Sequence, residues 1–236
     1  MSITIRGDFD HLVAHQRLEK LKQCLNVTEK YLGEAKSEFE AKSYEELGLK
    51  PLYPQDVCDD IYSEELWYYA VKFPRILRNS FLVTAHSLLE YELNVICRKL
   101  KKVCQIPISW SDLKGDKLEQ AKLYFKLAGI EFPSHDSIWK EVKYYYKIRN
   151  CVVHTNGLIN ELQDKDRRNL VPYLKKKSII SEDTIDEEIA LTALFCKEVI
   201  TTIQYFLNDV YEAISAAKKK LKSEIKNGEL EGRSPS

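Results

Sequence analysis

The stretch Lys147-Ile-Arg149-Asn150-Cys-Val-Val-His154-Thr-Asn156-Gly157 holds the residue types best suited to chemistry. Arg149 is permanently charged, and its planar fork of donors matches phosphate oxygens. The imidazole of His154 can take or give a proton near neutral pH, as a general acid or base must. Asn150 and His154 are four positions apart, so on a helix they share a face. Arg149 and His154 are five apart, which on a helix means about 140° of rotation and about 7.5 Å of rise. They converge only because arginine is long, or because a second copy of the helix faces the first. Asn156-Gly157 is a pair that tolerates left-handed backbone and stops a helix, placing His154 in the last turn, at the negative end of the helix dipole. Two structural roles compete with the chemical one. Arg149 can pair with an acid on a neighbouring helix, and His154 can cap the helix C-terminus.

Other chemistry is absent from the pattern. There is no glycine-rich dinucleotide or phosphate loop, no H-E-x-x-H and no G-x-S-x-G. The six cysteines are irregularly spaced and form no C-x-x-C, so they are expected as reduced, mostly buried thiols, with no zinc site. His11 and His15 have a metal-compatible spacing but nothing else in the sequence points at them, and His86 is expected to pack inside a helix. Ser134-His135-Asp136 reads as a helix cap. Neither a metal nor a cofactor is expected.

The elements that position the motif are helical. Glycine and proline number only 8 and 7 in 236 residues, too few for an all-β sandwich. Hydrophobic residues make up 44% and charged residues 31%, which fits neither a disordered nor a membrane-spanning chain. The opening Met-Ser-Ile-Thr-Ile-Arg-Gly-Asp has no apolar run, so a cytoplasmic protein is expected. Lysine plus arginine equals aspartate plus glutamate, 36 to 36, which excludes a whole-protein basic field as the means of attracting nucleic acid. Locally, residues 29–65 are acidic, while 97–126 and 140–149 are basic.

Apolar periodicity predicts helices over about 9–46, 56–71, 75–104, 111–128 and, after Pro133-Ser134, 135–155, and a last one running to about Ile225. Residues 158–183 are polar and predict a long loop or small hairpin. Thr184-Ile-Asp-Glu187 has capping-box spacing before the last helix, whose apolar positions are counted from Ile189 and Leu191. The expected fold class is all-α: an antiparallel helical bundle of five to six helices with a small irregular or hairpin insertion before the last helix. The expected domains are an N-terminal long helix or extension over 1–50, the bundle over 51–226 and a disordered tail over 227–236.

Arg149-Asn150-x-x-x-His154 at the end of a helix in an all-α bundle resembles the R-x4-6-H motif of the HEPN superfamily. Asn next to the Arg is a common version there. The resemblance covers roughly residues 62–225. Ala85-His-Ser-Leu-Leu-Glu90-Tyr-Glu-Leu93 is similar, less specifically, to the family's helix preceding the motif helix. The resemblance implies a metal-independent endoribonuclease acting as a homodimer, with two motifs facing each other across a two-fold axis. It implies a role as toxin, antiphage defence effector or RNA-processing factor, with a toxin or defence effector the expected one, and an antitoxin or activating protein as partner. His154 would be the general acid or base, Arg149 would stabilise the phosphorane-like transition state, and Asn150 would orient the histidine or a phosphate oxygen. Some family toxins carry a tyrosine two places after the histidine that a nucleotidyltransferase modifies; here that place is Asn156, so such an antitoxin is not expected. The alternative is a catalytically idle dimeric module that binds proteins or nucleotides. Glu90 is a candidate auxiliary group, against a solvent-facing role. Lys140, Lys143, Lys147 and Tyr144 on the motif helix, with Lys175 and Lys176 in the long loop, are candidates for holding RNA phosphates and bases, against a role for the tyrosines in core or dimer interface.

Overall fold

Apolar residues recur at the helical period through most of the chain, and the computed structural model is accordingly all-α. It describes residues 7–50, 52–134, 137–181 and 187–231. Seven α-helices run through these residues: α1 (Gly7–Glu40), α2 (Gln55–Trp67), α3 (Phe73–Val103), α4 (Lys117–Leu127), α5 (Ser137–Thr155), α6 (Asp164–Lys176) and α7 (Ala193–Glu231). A two-residue hairpin pairs β1 (Ile180–Ser181) with β2 (Glu188–Ile189), antiparallel, with Ile180 opposite Ile189. No described helix is long and apolar enough to cross a membrane.

The chain packs as two units, each assembled from distant segments. Residues 1–18, 85–146 and 200–236 make the first, and residues 19–84 and 147–199 the second. The long helices α1, α3, α5 and α7 contribute to both. The expected N-terminal long helix is α1, and it takes part in the packing: Ala14 and Leu18 lie in the first core and Leu25 in the second.

The first unit is filled by aromatic rings and a leucine stripe. Phe132 meets Phe125, Trp139 and Phe206 edge-on, and Trp139 stacks on Phe206. Leu89, Leu93, Ile96 and Leu100 bury the inner side of α3. Arg17 pairs with Glu92 at 2.5 Å. Asp116 caps α4 by accepting from the backbone of Leu118 and Glu119. His11 hydrogen-bonds Asn208 and packs on the Tyr211 ring, so it is a packing residue, and its neighbour His15 is exposed.

The second unit buries Leu25, Cys58, Ile148, Cys151, Ile159, Leu174, Ile179 and Ile189. Arg78 forks onto Glu29, Nε to Oε1 at 2.7 Å and Nη2 to Oε2 at 2.8 Å, and its Nη1 reaches the Leu191 carbonyl at 3.3 Å. An arginine making three charge-assisted bonds ties α1, α3 and the entry to α7 together.

Several boundaries differ from the sequence expectation. The first helix ends at Glu40 rather than near 46, because Ser43 and Glu46 cap one another's backbone and start a separate turn. Phe73-Pro74 does not end the second helix. Tyr68–Lys72 widens into a π-turn, where the Phe73 amide reaches back to the Tyr68 carbonyl. This turn absorbs Pro74, which has no amide to offer. The fourth helix starts at Lys117, since Gly115 takes a left-handed φ of +106° after a short 3-10 turn at Trp110–Asp112.

The largest correction is α6, thirteen residues of helix where a loop or hairpin was expected. Its polarity and Pro172 hid it. Leu170, Tyr173 and Leu174 nevertheless make an inner face, and Pro172 lies exposed on the outer face, where a missing helix hydrogen bond costs least. The expected hairpin is present only as β1 and β2. The last helix begins at Ala193, capped by Thr192 Oγ1, which accepts from the Phe195 amide at 3.0 Å. Ile189 is thus a strand residue and Leu191 precedes the helix. Thr184 lies outside the described residues, as do His135 and Asp136 of the proposed cap before α5. The stretch expected to be a disordered tail is helical as far as Glu231, and residues 232–236 are outside the described range.

Candidate functional site

Helix α5 carries the motif, and the second unit fixes its end. Ile148 and Cys151 are fully buried and anchor the last two turns, leaving Arg149 and Asn150 half-buried and His154 exposed. The helix stops as the Asn156-Gly157 pair predicts: both residues take left-handed φ, +53° and +84°, and the Gly157 amide reaches back to the Cys151 carbonyl at 3.2 Å. The chain then runs alongside β2. Ile189 donates to the Gly157 carbonyl and Ile159 to the Glu187 carbonyl, each at 2.9 Å. Arg75 of α3 adds a further tie, because its Nη2 donates to the Asn156 carbonyl at 3.0 Å while Nη1 pairs with Glu188. The end of α5 is therefore capped by backbone and by Arg75, and His154 is not its cap.

Arg149 turns to its neighbour. Its Nη1 donates to Asn150 Oδ1 at 3.0 Å, and its Nε is buried without a hydrogen-bond partner. Among the described residues no carboxylate pairs with Arg149, in contrast to Arg75 and Arg78 of the same unit, both held by glutamates. The pairing with an acid on a neighbouring helix is not observed among the described residues. A neutral amide orients the guanidinium but leaves its charge intact, as an oxyanion-binding arginine requires. No hydrogen bond among the described residues joins His154 to Arg149 or Asn150. The motif thus gathers Arg149 with Asn150 and leaves the imidazole open.

The other candidates are dispersed. Lys140 and Lys143 are exposed on the part of α5 that belongs to the first unit, where Lys143 lies over the Trp139 ring. Tyr144 and Lys147 are half-buried, and Tyr145 is fully buried with its hydroxyl 3.2 Å from Thr202 Oγ1, so one of the three tyrosines is core. Lys175 and Lys176 are exposed in the last turn of α6 rather than in a loop. Glu90 is half-buried, with Oε1 3.3 Å from Nδ1 of the fully buried His86, so it is not a free solvent-facing glutamate. It belongs to the first unit and Arg149 to the second.

Cys97 and Cys196 are held by burial at a pKa of about 12, far from a nucleophilic thiolate. Cys58 and Cys151 are also buried, whereas Cys24 and Cys104 are exposed. Among the described residues no cluster of three His, Cys, Asp or Glu side chains could hold a metal ion. Sequence reasoning missed Arg75, whose partners lie 81 and 113 positions away and leave no local signal.

Compared with protein-family models, characterised proteins and solved structures, the chain matches none. The functional reading therefore rests on the residues themselves.

Proposed function

We propose that this protein is a metal-independent endoribonuclease of HEPN type, acting through Arg149, Asn150 and His154. The observation that carries the reading is the state of Arg149. It is half-buried, oriented by a neutral amide, and without a carboxylate partner among the described residues. A partly desolvated guanidinium of this kind is a ready receptor for a phosphate. The exposed imidazole one turn further along the helix supplies a group able to move protons.

The chemistry needs no external nucleophile. The ribose 2′-hydroxyl attacks the adjacent phosphorus, and its proton passes to a general base. The P–O5′ bond breaks, and the leaving oxygen receives a proton from a general acid. The products are a 2′,3′-cyclic phosphate and a 5′-hydroxyl. Arg149 stabilises the charge on the phosphorane-like transition state. Arg149 and His154 diverge by about 140° around one helix, so a second copy of the motif, facing the first in a homodimer, completes the site. The cellular role that suits such an activity is that of a toxin or antiphage defence effector, held or released by a partner protein.

The test is incubation of wild type and His154→Ala with total RNA in EDTA, followed by mapping of new ends. Cleavage by wild type alone, with cyclic-phosphate ends, supports the reading. Equal cleavage by both removes His154 from the mechanism. A homodimer that binds RNA or protein but cleaves nothing, with or without its partner, leaves the idle-module reading.

A further inference from the structure

The unexpected helix α6 carries a charge arrangement that neither the core nor the motif uses. Lys165, Arg168, Lys175 and Lys176 are all exposed, and on a helical wheel they fall within about 100° of arc. Leu170, Tyr173 and Leu174, which pack inward, occupy the opposite side. The four cations extend over about 16 Å along the helix axis, long enough to follow a strand rather than hold one ion. None of the four has a carboxylate partner among the described residues. The neighbouring bases do: Arg167 pairs with Glu187 at 3.6 Å, and Lys177 pairs with Glu198. The acids of α6, Asp164 and Asp166, sit in its first turn, where they complement the helix dipole. Arg168 Nε donates to the Asp164 carbonyl at 3.2 Å, a bond to backbone and not to a carboxylate.

We infer that the outer face of α6 is a docking track for the phosphate backbone of single-stranded RNA. This rests on the proposed function and specifies how that site would receive its substrate. Charge complementarity decides the occupant. The protein as a whole has no net charge, so four cations on one face with no carboxylate partner among the described residues are a local feature rather than part of a general basic surface. A lipid surface would need apolar side chains beside the cations to enter the bilayer. Here the outer face offers only Pro172, with a half-buried Val171 at its edge. The track begins eleven positions after His154, at Lys165, and the intervening chain is tied to β2 by the Gly157 and Ile159 hydrogen bonds. Motif and track therefore belong to one unit.

The experiment uses the full chain bearing His154→Ala, so that RNA is bound without being cut. Fluorescence anisotropy with a labelled single-stranded RNA is measured across a salt series. A second variant adds Lys165→Ser, Arg168→Ser, Lys175→Ser and Lys176→Ser. A control instead adds Lys102→Ser, Lys114→Ser, Lys126→Ser and Lys219→Ser, four exposed lysines of the other unit. All eight side chains lie on the surface, and circular dichroism verifies the fold of each variant.

Removing one cation that neutralises a phosphate flattens the slope of log K against log salt by about 0.7. The α6 variant is expected to bind at least about tenfold more weakly, with the slope flattened by about 2 to 3. The control is expected to weaken much less. Unchanged affinity and slope in the α6 variant overturn the inference, as does equal weakening in the control, or no RNA binding by the His154→Ala chain. Loss of binding to anionic vesicles instead of RNA also overturns it. The two readings fail separately. His154-dependent cleavage by the wild type, with RNA affinity and slope unchanged in the α6 variant, removes the track alone; RNA binding through α6 without His154-dependent cleavage removes the nuclease alone.

Discussion

Arg75 and Asn156 are 81 positions apart, yet the guanidinium of one donates to the backbone carbonyl of the other at 3.0 Å. The same arginine pairs with Glu188, so one side chain of α3 ties the end of the motif helix to the hairpin. Replacing it should loosen that end first. Arg75→Ala removes a charge-assisted hydrogen bond and leaves Glu188 half-buried and unpaired, at a cost of about 2 kcal/mol. Urea denaturation should show the loss of stability. Amide exchange should show faster opening at residues 154–159, with the core of the other unit less affected. Equal exchange rates in wild type and variant would mean that Arg75 does not hold this turn.

Gly157 makes a separate claim on the same turn. At its φ of +84° a side chain is strained, although space is not the obstacle: an added Cβ would lie 3.8 Å from the Ile189 Cβ. Gly157→Ala should therefore destabilise by about 1 kcal/mol through backbone strain alone. In a chain of this size that lowers Tm by about 3 °C. Asn156→Gly relieves a left-handed residue and should be neutral or mildly stabilising. A Gly157→Ala variant as stable as wild type would contradict the left-handed geometry.

These two positions show where the sequence is legible and where it is not. The stop after Thr155 can be read because Asn-Gly has a local conformational preference that the fold merely uses. The grip of Arg75 cannot, because its partners are set by tertiary packing. Helix α6 was hidden for a different reason: Pro172 and a run of charges are local arguments against a helix, and they are outweighed by burial of Leu170, Tyr173 and Leu174. Thr184-Ile-Asp-Glu187 begins outside the described residues. Its spacing fits a capping box, but the next residues pair as β2, and the cap of α7 is Thr192. Within the site, residue types and helical spacing named Arg149, Asn150 and His154. That Arg149 would turn to Asn150 rather than to an acid was legible only in three dimensions.

The Arg149–Asn150 hydrogen bond separates charge from orientation. Asn150→Asp keeps the side-chain shape but gives Arg149 an anionic partner that competes with phosphate. On the proposed mechanism, single-turnover RNA cleavage should fall by about 100-fold or more. Asn150→Ala leaves the charge available but less well aimed, and should cost less. Arg149→Lys keeps the charge and loses the fork, and should fall nearer to Asn150→Asp than to wild type. If Asn150→Asp cleaves as fast as wild type, the charge of Arg149 is not what the reaction uses.

The cysteines give a test of the packing that is independent of any activity. Exposed Cys24 should react first with a maleimide. Cys104 should follow, because burial of its thiol pushes the pKa up even though the residue is exposed. Cys97 and Cys196 should react only on unfolding, since burial holds each near a pKa of about 12 against an ordinary 9.0. The same shift sets a pH dependence. Between those two values the folded chain keeps protons that the unfolded chain has lost, so the unfolded state binds fewer and stability falls as pH rises. The contribution is complete below 9.0 and is lost as pH climbs toward 12. Cys97→Ala/Cys196→Ala should flatten that alkaline decline while lowering stability at neutral pH by leaving small cavities. An alkaline denaturation profile that the double substitution leaves unchanged would place the titrating groups elsewhere.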